Sequence, residues 1–503
     1  MAPCIIGIDA GTSNIKAVTF DLDGSERATA SRRNEVLTPT TDRVEQEMDR
    51  TWELTAAVLR EVVADLDDAS EVVGVGVTGQ GDGCWLLGDD GDPVRNAILW
   101  NDGRAAAYVD RWQTDGRGAS LYEACGCTLF PGSTLPILAW LRDNEPATLE
   151  DAATVFYCKD WLKYCLTGER TTDPSDASLP FLDHRTNAYA TDLGERFDLP
   201  SIEECYPRLV PPADPIGTVT AEAAAATGLP EGVPVVSGLL DIAASALGSG
   251  AATEGDSSSV VGTTSLSQTF VTDPTPGGDP AGFTISLGFE DLYTRAMASM
   301  AGTPNLDWML DELATVEAFA DVEAAVRDLP VGAEGVLYHP YLSTAGERAP
   351  FVDPNARAQF TGIGPNHTRA HLCRAVYEGL ALAMRDCYEH IDTATDTVYV
   401  SGGGTRSSFV CQLLADCLGV PVAVPAGTEF GAKGVALLCA VALEEYPDVA
   451  TAVAETTAVE TAYRPRPERT RAYDDLYDLY RMAYESMGEV WRARAEFLER
   501  RQS

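Results

Sequence analysis

The stretch Cys4-Ile5-Ile6-Gly7-Ile8-Asp9-Ala10-Gly11-Thr12-Ser13-Asn14-Ile15-Lys16-Ala17-Val18-Thr19-Phe20-Asp21 decides how this chain is read. Two runs rich in β-branched residues flank Ala10-Gly11-Thr12-Ser13, which predicts a β-hairpin. Glycine at the turn lets main-chain N–H groups and hydroxyls crowd around an anion. Asp9 stands beside that anion and suits Mg²⁺ or one of its waters. The segment is a candidate phosphate-binding hairpin. A strand ending in Asp-x-Gly also occurs in purely structural hairpins, so the reading turns on recurrence.

The pattern recurs about half a chain later, where Ser258-Ser259-Val260-Val261 runs into Gly262-Thr263-Thr264-Ser265-Leu266. This predicts an internal duplication. Two such hairpins facing each other across a cleft would hold a nucleotide's phosphates from both sides, the arrangement of actin-like ATP-binding folds. A third glycine cluster, Gly402-Gly403-Gly404, follows the strand Val398-Tyr399-Val400 and precedes a helical pattern through Asp416. Three glycines in a row admit a ligand close to the backbone, and the helix opening there offers its N-terminus to a phosphate or a base. A tight strand-to-helix turn is the plainer alternative.

At 503 residues the chain is too long for one ordinary core, and two domains of roughly 250 residues are expected. Its 36 basic and 77 acidic residues give a formal charge of −41, spread along the chain, which disfavours nucleic acid and anionic membranes as partners. Lys16, Lys159, Lys163 and Lys433 are the only lysines. Such a balance fits a high-salt cytoplasm, where screening tames self-repulsion. With 45% hydrophobic residues the chain is no candidate for disorder.

Twelve cysteines occur without a Cys-x-x-Cys pair, so reduced, mostly buried thiols are expected. His367 and His371 form an i, i+4 pair without an accompanying carboxylate pattern, which gives a metalloenzyme no support. No signal peptide is apparent, and the apolar stretch from Val233 to Ala252 carries Asp241 and many Gly and Ser residues, unlike a membrane span. A soluble, cytoplasmic protein is expected.

Trp52 to Leu66 has the periodicity of an amphipathic helix and Val72 to Val77 that of a buried strand. Polar residues gather at two edges, Thr78-Gly79-Gln80-Gly81-Asp82-Gly83 and Trp100-Asn101-Asp102-Gly103-Arg104. A carboxylate, an amide and an arginine at buried sheet edges call for a ligand or an ion-pair network. Asp241 is the only charge between Glu231 and Glu254, placed where a strand gives way to a small-residue helix. It suits a helix N-cap; equally, it could accept the proton of a substrate hydroxyl attacking phosphorus. A boundary just after it, near Gly248 to Gly255, divides the chain into 1–248 and 249–503.

The chain resembles the FGGY carbohydrate kinases over nearly its whole length. Lys159-Asp160-Trp161-Leu162-Lys163-Tyr164 before Leu166-Thr167-Gly168 is similar to one family segment. Ala358-Gln359-Phe360-Thr361-Gly362-Ile363, followed after seven residues by His371 to Glu378, matches the family's C-terminal pattern at each fixed position. Tyr341 to Pro350 resembles a further family loop, with a two-residue insertion, and belongs near the cleft.

The resemblance implies a two-domain α/β fold of the actin-like ATPase, ribonuclease H-like type, closing on ATP and a sugar or polyol in a central cleft. By likeness, Asp9 helps hold Mg²⁺. Gly11, Thr12, Ser13 and Lys16, with Gly262, Thr263 and Thr264, grip the phosphates, and Gly402, Gly403, Gly404 and Ser407 lie along adenosine. Asp241 falls on the catalytic base. Substrate contacts are expected from Gln80, Gly81, Asp82, Trp100, Asn101, Asp102, Arg104 and Asp241.

Trp100-Asn101-Asp102-Gly103-Arg104 resembles the xylulokinase branch and favours a ketose. Gln80-Gly81-Asp82-Gly83 departs from the Gln-Met-His-Gly of xylulokinases, putting an acceptor-only carboxylate at 82, and Ile242 replaces the polar neighbour of the base found in xylulokinases and glycerol kinases. A pentulose is preferred, with a polyol such as glycerol or erythritol as the alternative. An actin-like ATPase would not need Asp241 with these polar edges, and a silent sugar sensor would lose Asp9 or Asp241. Family members are often dimers, and the charged helical stretch from Arg464 to Arg501 suits either a homodimer interface or packing on its own body.

Overall fold

The computed structural model describes residues 2–275, 280–314, 316 and 318–502. In the first half β1 (Cys4–Ala10), β2 (Asn14–Asp21) and β3 (Glu26–Arg33) form an antiparallel meander, followed by α1 (Met48–Ala64) and β4 (Val72–Gly79). Further along come α2 (Cys158–Thr167), β5 (Pro215–Thr218), β6 (Pro234–Val236) and α3 (Asp241–Ser249). The sheet order is β5-β6-β4-β1-β2-β3, with β4 parallel to β1, β6 parallel to β4, and an antiparallel edge at β5. Apolar side chains on both faces of β1 are buried, as a strand covered on two sides requires.

The second half repeats this plan. It comprises β7 (Asp256–Val261), β8 (Ser265–Val271), β9 (Phe283–Ser286), β10 (Tyr293–Ser299), α4 (Arg369–Ile391), β11 (Thr397–Ser401), α5 (Ser408–Leu418), β12 (Val422–Pro425), α6 (Phe430–Ala442) and β13 (Val459–Tyr463). Its sheet runs β9-β10-β8-β7-β11-β12-β13, again a meander, then two parallel neighbours, then an antiparallel edge. The hairpin β1–β2 therefore corresponds to β7–β8, the duplication expected from the two glycine-hydroxyl turns.

The two units interlock through α3 and α6. Helix α6 lies across β1 and β4 of the first sheet and packs on α3, and its small residues make that approach possible. A methyl group at Gly7 would lie 2.1 Å from the Ala432 carbonyl oxygen, and one at Gly434 would lie 2.0 Å from that of Ala244. Leu239, Ala243 and Leu247 share one core cluster with Phe270 of β8 and with Val435 and Leu438. The cleft floor is thus built from both halves.

Two expectations change in detail. Helix α1 starts at Met48, ahead of Trp52, because Met48 and Thr51 are buried against the sheet and extend its apolar face. The stretch from Arg464 onwards is two helices, α7 (Pro467–Glu485) and α8 (Gly488–Gln502). Helix α7 buries Tyr473, Leu476, Tyr477, Tyr480 and Tyr484 in the core of the second unit, so it packs on its own body. All twelve cysteines are free thiols, ten of them buried. Among the described residues no helix is long and apolar enough to cross a membrane.

Candidate active site

A cavity of about 440 Å³ lies between the units. Gly11 and Thr12 of the first hairpin and Thr264 and Ser265 of the second reach it from opposite halves, with Asp9 and Asp241 between them. The two turns do face each other, which the sequence alone could not show. Gln80, Gly81, Asp82, Trp100, Phe130 and Leu179 complete the wall on one side, and Phe283, Ile285, Ala298 and Arg348 on the other.

The first hairpin is held by side chains. The Thr12 hydroxyl donates to Gln80 Oε1 at 2.8 Å and accepts from Trp100 Nε1 at 2.9 Å. Gln80 Nε2 donates to Gln46 Oε1 at 2.8 Å, and Gln46 Nε2 donates to the Thr12 carbonyl at 2.7 Å, closing a ring. Gln46 and Gln80 are almost wholly buried. With its hydroxyl so engaged, Thr12 offers an anion its main chain, and the free hydroxyl of the turn is Ser13's. Gln46, at the end of a four-residue strand, escaped sequence reasoning because nothing in its neighbourhood marks an amide as turned inward.

Three carboxyls define the electrostatics. Burial pushes Asp9 up to about 6, with the Glu429 charge adding to the rise and Lys16 opposing it. Lys16 lies opposite Asp9 in the β1–β2 ladder, and its Nζ pairs with Glu429 Oε2 at 2.7 Å. Asp241 is pushed up to about 7 by burial first and by the Asp9 charge second, against the Ile242 N–H that its Oδ1 accepts at 2.7 Å. Asp82 is raised well above the carboxylate range by burial and by Asp176, with Arg348 opposing. Asp82 sits at φ +53°, a left-handed backbone that Asp tolerates better than most residues.

The donors around Asp9 are hard oxygens, the class that suits Mg²⁺ held by one or two carboxylates together with substrate phosphates. Among the described residues no group of three or more His, Cys, Asp or Glu side chains forms an all-protein metal cage. Such a cage is not what Mg²⁺ in phosphoryl transfer needs.

Other sequence candidates lie elsewhere. Asp102 and Arg104 are buried in an ion network: Arg104 Nε donates to Asp102 Oδ1 at 2.8 Å and Nη2 to Glu45 Oε1 at 2.7 Å, Asp102 Oδ2 accepts from the Val44 N–H at 2.6 Å, and the guanidinium stacks on Trp140. Neither lines the cavity, and Asn101 is exposed on the turn. Of that segment only Trp100 reaches the cleft. Gly402 and Gly404 let the third glycine cluster close onto the end of β7, where added methyl groups would lie 2.6 Å from the Val261 carbonyl oxygen and 2.5 Å from Val261 Cγ1. The Ser407 hydroxyl donates to Glu323 Oε1 at 2.7 Å and caps α5 by accepting the Val410 N–H at 3.1 Å, so it is already committed. Arg348, in contrast, was not among the expected contacts. Its signal was the Gly346-Glu347-Arg348-Ala349-Pro350 loop, whose insertion obscured which residue would point inward.

The model of the FGGY family of carbohydrate kinases, N-terminal domain, matches residues 4–248, and the C-terminal domain model matches 257–443. The chain belongs to the FGGY family of carbohydrate kinases. It is an ATP-dependent carbohydrate kinase with the actin-like ATPase fold expected from its paired hairpins. The chain is 36% identical to the erythritol kinase of Brucella abortus, with 97% of each chain covered. It is 29% identical to the xylulose kinase of Bacillus subtilis, with 95% of this chain and 96% of the relative covered. In fold it is similar to gluconate kinase from Lactobacillus acidophilus, with a TM-score of 0.93, 22% identity, and 98% and 100% of the two chains covered.

Proposed function

We propose that this enzyme transfers the γ-phosphate of ATP to a terminal hydroxyl of a short linear polyol, erythritol foremost, with Asp241 as the general base. The observation that carries the polyol is which residues touch the cavity. The segment that pointed to a ketose, 100–104, contributes only Trp100, whereas the positions that depart from xylulokinases, Gly81, Asp82 and Ile242, all line the cleft. A methyl group at Gly81 would lie 2.1 Å from Leu240 Cδ1, so Leu240 fills the space that a larger residue at 81 would occupy. Asp82 and Arg348, an acceptor and a donor on the same cavity, suit hydroxyls that both donate and accept. The erythritol kinase relative supports the same reading.

In the reaction Asp241 takes the proton of the attacking hydroxyl and holds that oxygen in line with phosphorus. The hairpin turns 11–13 and 262–264 hold the phosphates, Lys16 adds a cation beside them, and the glycine cluster 402–404 lies along the nucleotide. Asp9 would hold Mg²⁺, which neutralises charge on the phosphates when bound.

A pentulose remains the second reading, favoured by Trp100 and by the xylulose kinase relative. ADP release in molar KCl with MgATP, over erythritol, glycerol, ribulose and D- and L-xylulose, separates the two. Erythritol is expected to exceed the ketoses in kcat/KM by at least about tenfold, the discrimination one mismatched group brings. Preferential turnover of a ketopentose would reverse the assignment. The salt condition follows the acidic composition and tests the high-salt habitat at the same time.

The pH dependence follows from Asp241. As a base it must be ionised, and it is held at about 7. Acceptor kcat/KM is therefore expected to rise between pH 6 and pH 8 and to fall on the acid side. A profile flat down to pH 5 would remove Asp241 from the role.

A further inference from the structure

Beneath the turn that carries Asp241 lies an ionic cluster with no solvent exposure. Lys159, Lys163, Asp160, Asp173 and Asp176 are all 0% exposed and include two of the chain's four lysines. Lys159 pairs with Asp173 and Asp176, and Lys163 Nζ lies 3.0 Å from Asp160 Oδ1. Burying five ionisable groups is a poor way to add stability, since well-packed apolar residues do as well or better. The cluster's hydrogen bonds point to another use.

They converge on residues 237–240. Lys163 Nζ donates to the Ser237 carbonyl at 3.0 Å, and the Thr78 hydroxyl donates to that of Leu239 at 2.6 Å. Asp173 Oδ2 accepts the Ser175 hydroxyl at 2.5 Å, and that hydroxyl in turn accepts the Leu240 N–H at 2.8 Å. Asp241 is the next residue and the first of α3. A chain of contacts thus runs from Lys159 through Asp173 and Ser175 to the Leu240 N–H, one residue before Asp241.

We propose that the Lys159–Asp173–Ser175 relay is a positioning device for Asp241, fixing the turn at Leu240 so that the carboxylate faces the attacking hydroxyl. The proposal rests on the reading of Asp241 as the base. Removing a buried lysine would strand two carboxylates, so the informative variant is Ser175→Ala, which leaves the ion pairs intact and deletes the acceptor of the Leu240 N–H together with the hydroxyl's own bond to Asp173 Oδ2. Its kcat is expected to fall by about 10- to 100-fold, the cost of a small misplacement, with acceptor KM and ATP affinity unchanged. Ser175→Thr, which keeps the hydroxyl, is expected to return most of that turnover. In an Asp241→Asn background, Ser175→Ala is expected to have no further effect on residual turnover. Unchanged kcat in Ser175→Ala, failure of threonine to rescue, or an equal loss in the Asp241→Asn background would each overturn the relay. Full turnover by Asp241→Asn alone would instead overturn the base assignment.

Discussion

Asp241→Asn is expected to lower kcat by at least about 10³-fold, within the range that general-base groups contribute, while ATP affinity stays unchanged. Asparagine keeps the shape and the contact with the Ile242 N–H but takes no proton. The same substitution is expected to raise thermal stability at pH 8. The Asp241 carboxyl is held at about 7 in the folded protein against an ordinary value of 3.8. Between those values the unfolded chain gives up the proton first, so the native state binds more protons and loses stability as pH rises. Above about pH 7 that cost is fully present; below about pH 4 it vanishes. Asparagine carries none of it. The melting-temperature excess of the variant should therefore be larger at pH 8 than at pH 5.5, measured by differential scanning calorimetry. A variant that melts earlier at pH 8, or that turns over at the wild-type rate, would show that Asp241 is an ordinary helix-start residue. A base that destabilises its own fold would be the usual trade of activity against stability.

Much of the fold was legible because it rests on local patterns. The β1–β2 turn at Gly11 and its repeat at Gly262 fixed two equivalent hairpins, and the topology around each follows from βαβ connections that run one way. The site was legible only in part. Asp9 and Asp241 stand alone as charges in apolar runs, and a lone charge at a strand end is informative. Asp102 and Arg104 looked equally suited to a ligand, yet Glu45, 59 residues from Arg104 in sequence, turns them into a closed ion network. The same long-range pairing hid Gln46 and gave Ser407 its partner in Glu323. Whether a polar residue at a sheet edge serves a ligand or a neighbour depends on what folds over it, and single-sequence patterns carry no register for that.

Arg348→Ala is expected to lower acceptor kcat/KM by about 100-fold while leaving ATP affinity unchanged. Among the described residues lining the cavity, Arg348 is the only cation, set against Asp9, Asp82 and Asp241. It comes from the second unit and reaches across to the first, with its guanidinium 5.5 Å from the Trp100 ring and 5.9 Å from that of Phe130. The loop that presents it is fixed by buried Glu347, which accepts the Met300 N–H at 2.8 Å, the Arg348 N–H at 2.9 Å and the Ser299 hydroxyl at 3.1 Å, while Arg348 Nε donates to the Ala298 carbonyl at 3.0 Å. A rigidly held guanidinium gives hydrogen bonds worth about 1.5–3 kcal/mol to a bound hydroxyl, which is the expected loss. Arg348→Lys keeps the charge but not the planar stack on two rings, and is expected to recover only part of the activity. Steady-state kinetics with the acceptor varied at saturating MgATP measure both. Wild-type acceptor KM and kcat in Arg348→Ala would mean that the arginine ties the units together without touching substrate. Because its anchor and its aromatic platform belong to different units, loss confined to the acceptor would place recognition in the closed cleft, where one half supplies the base and the other the cation.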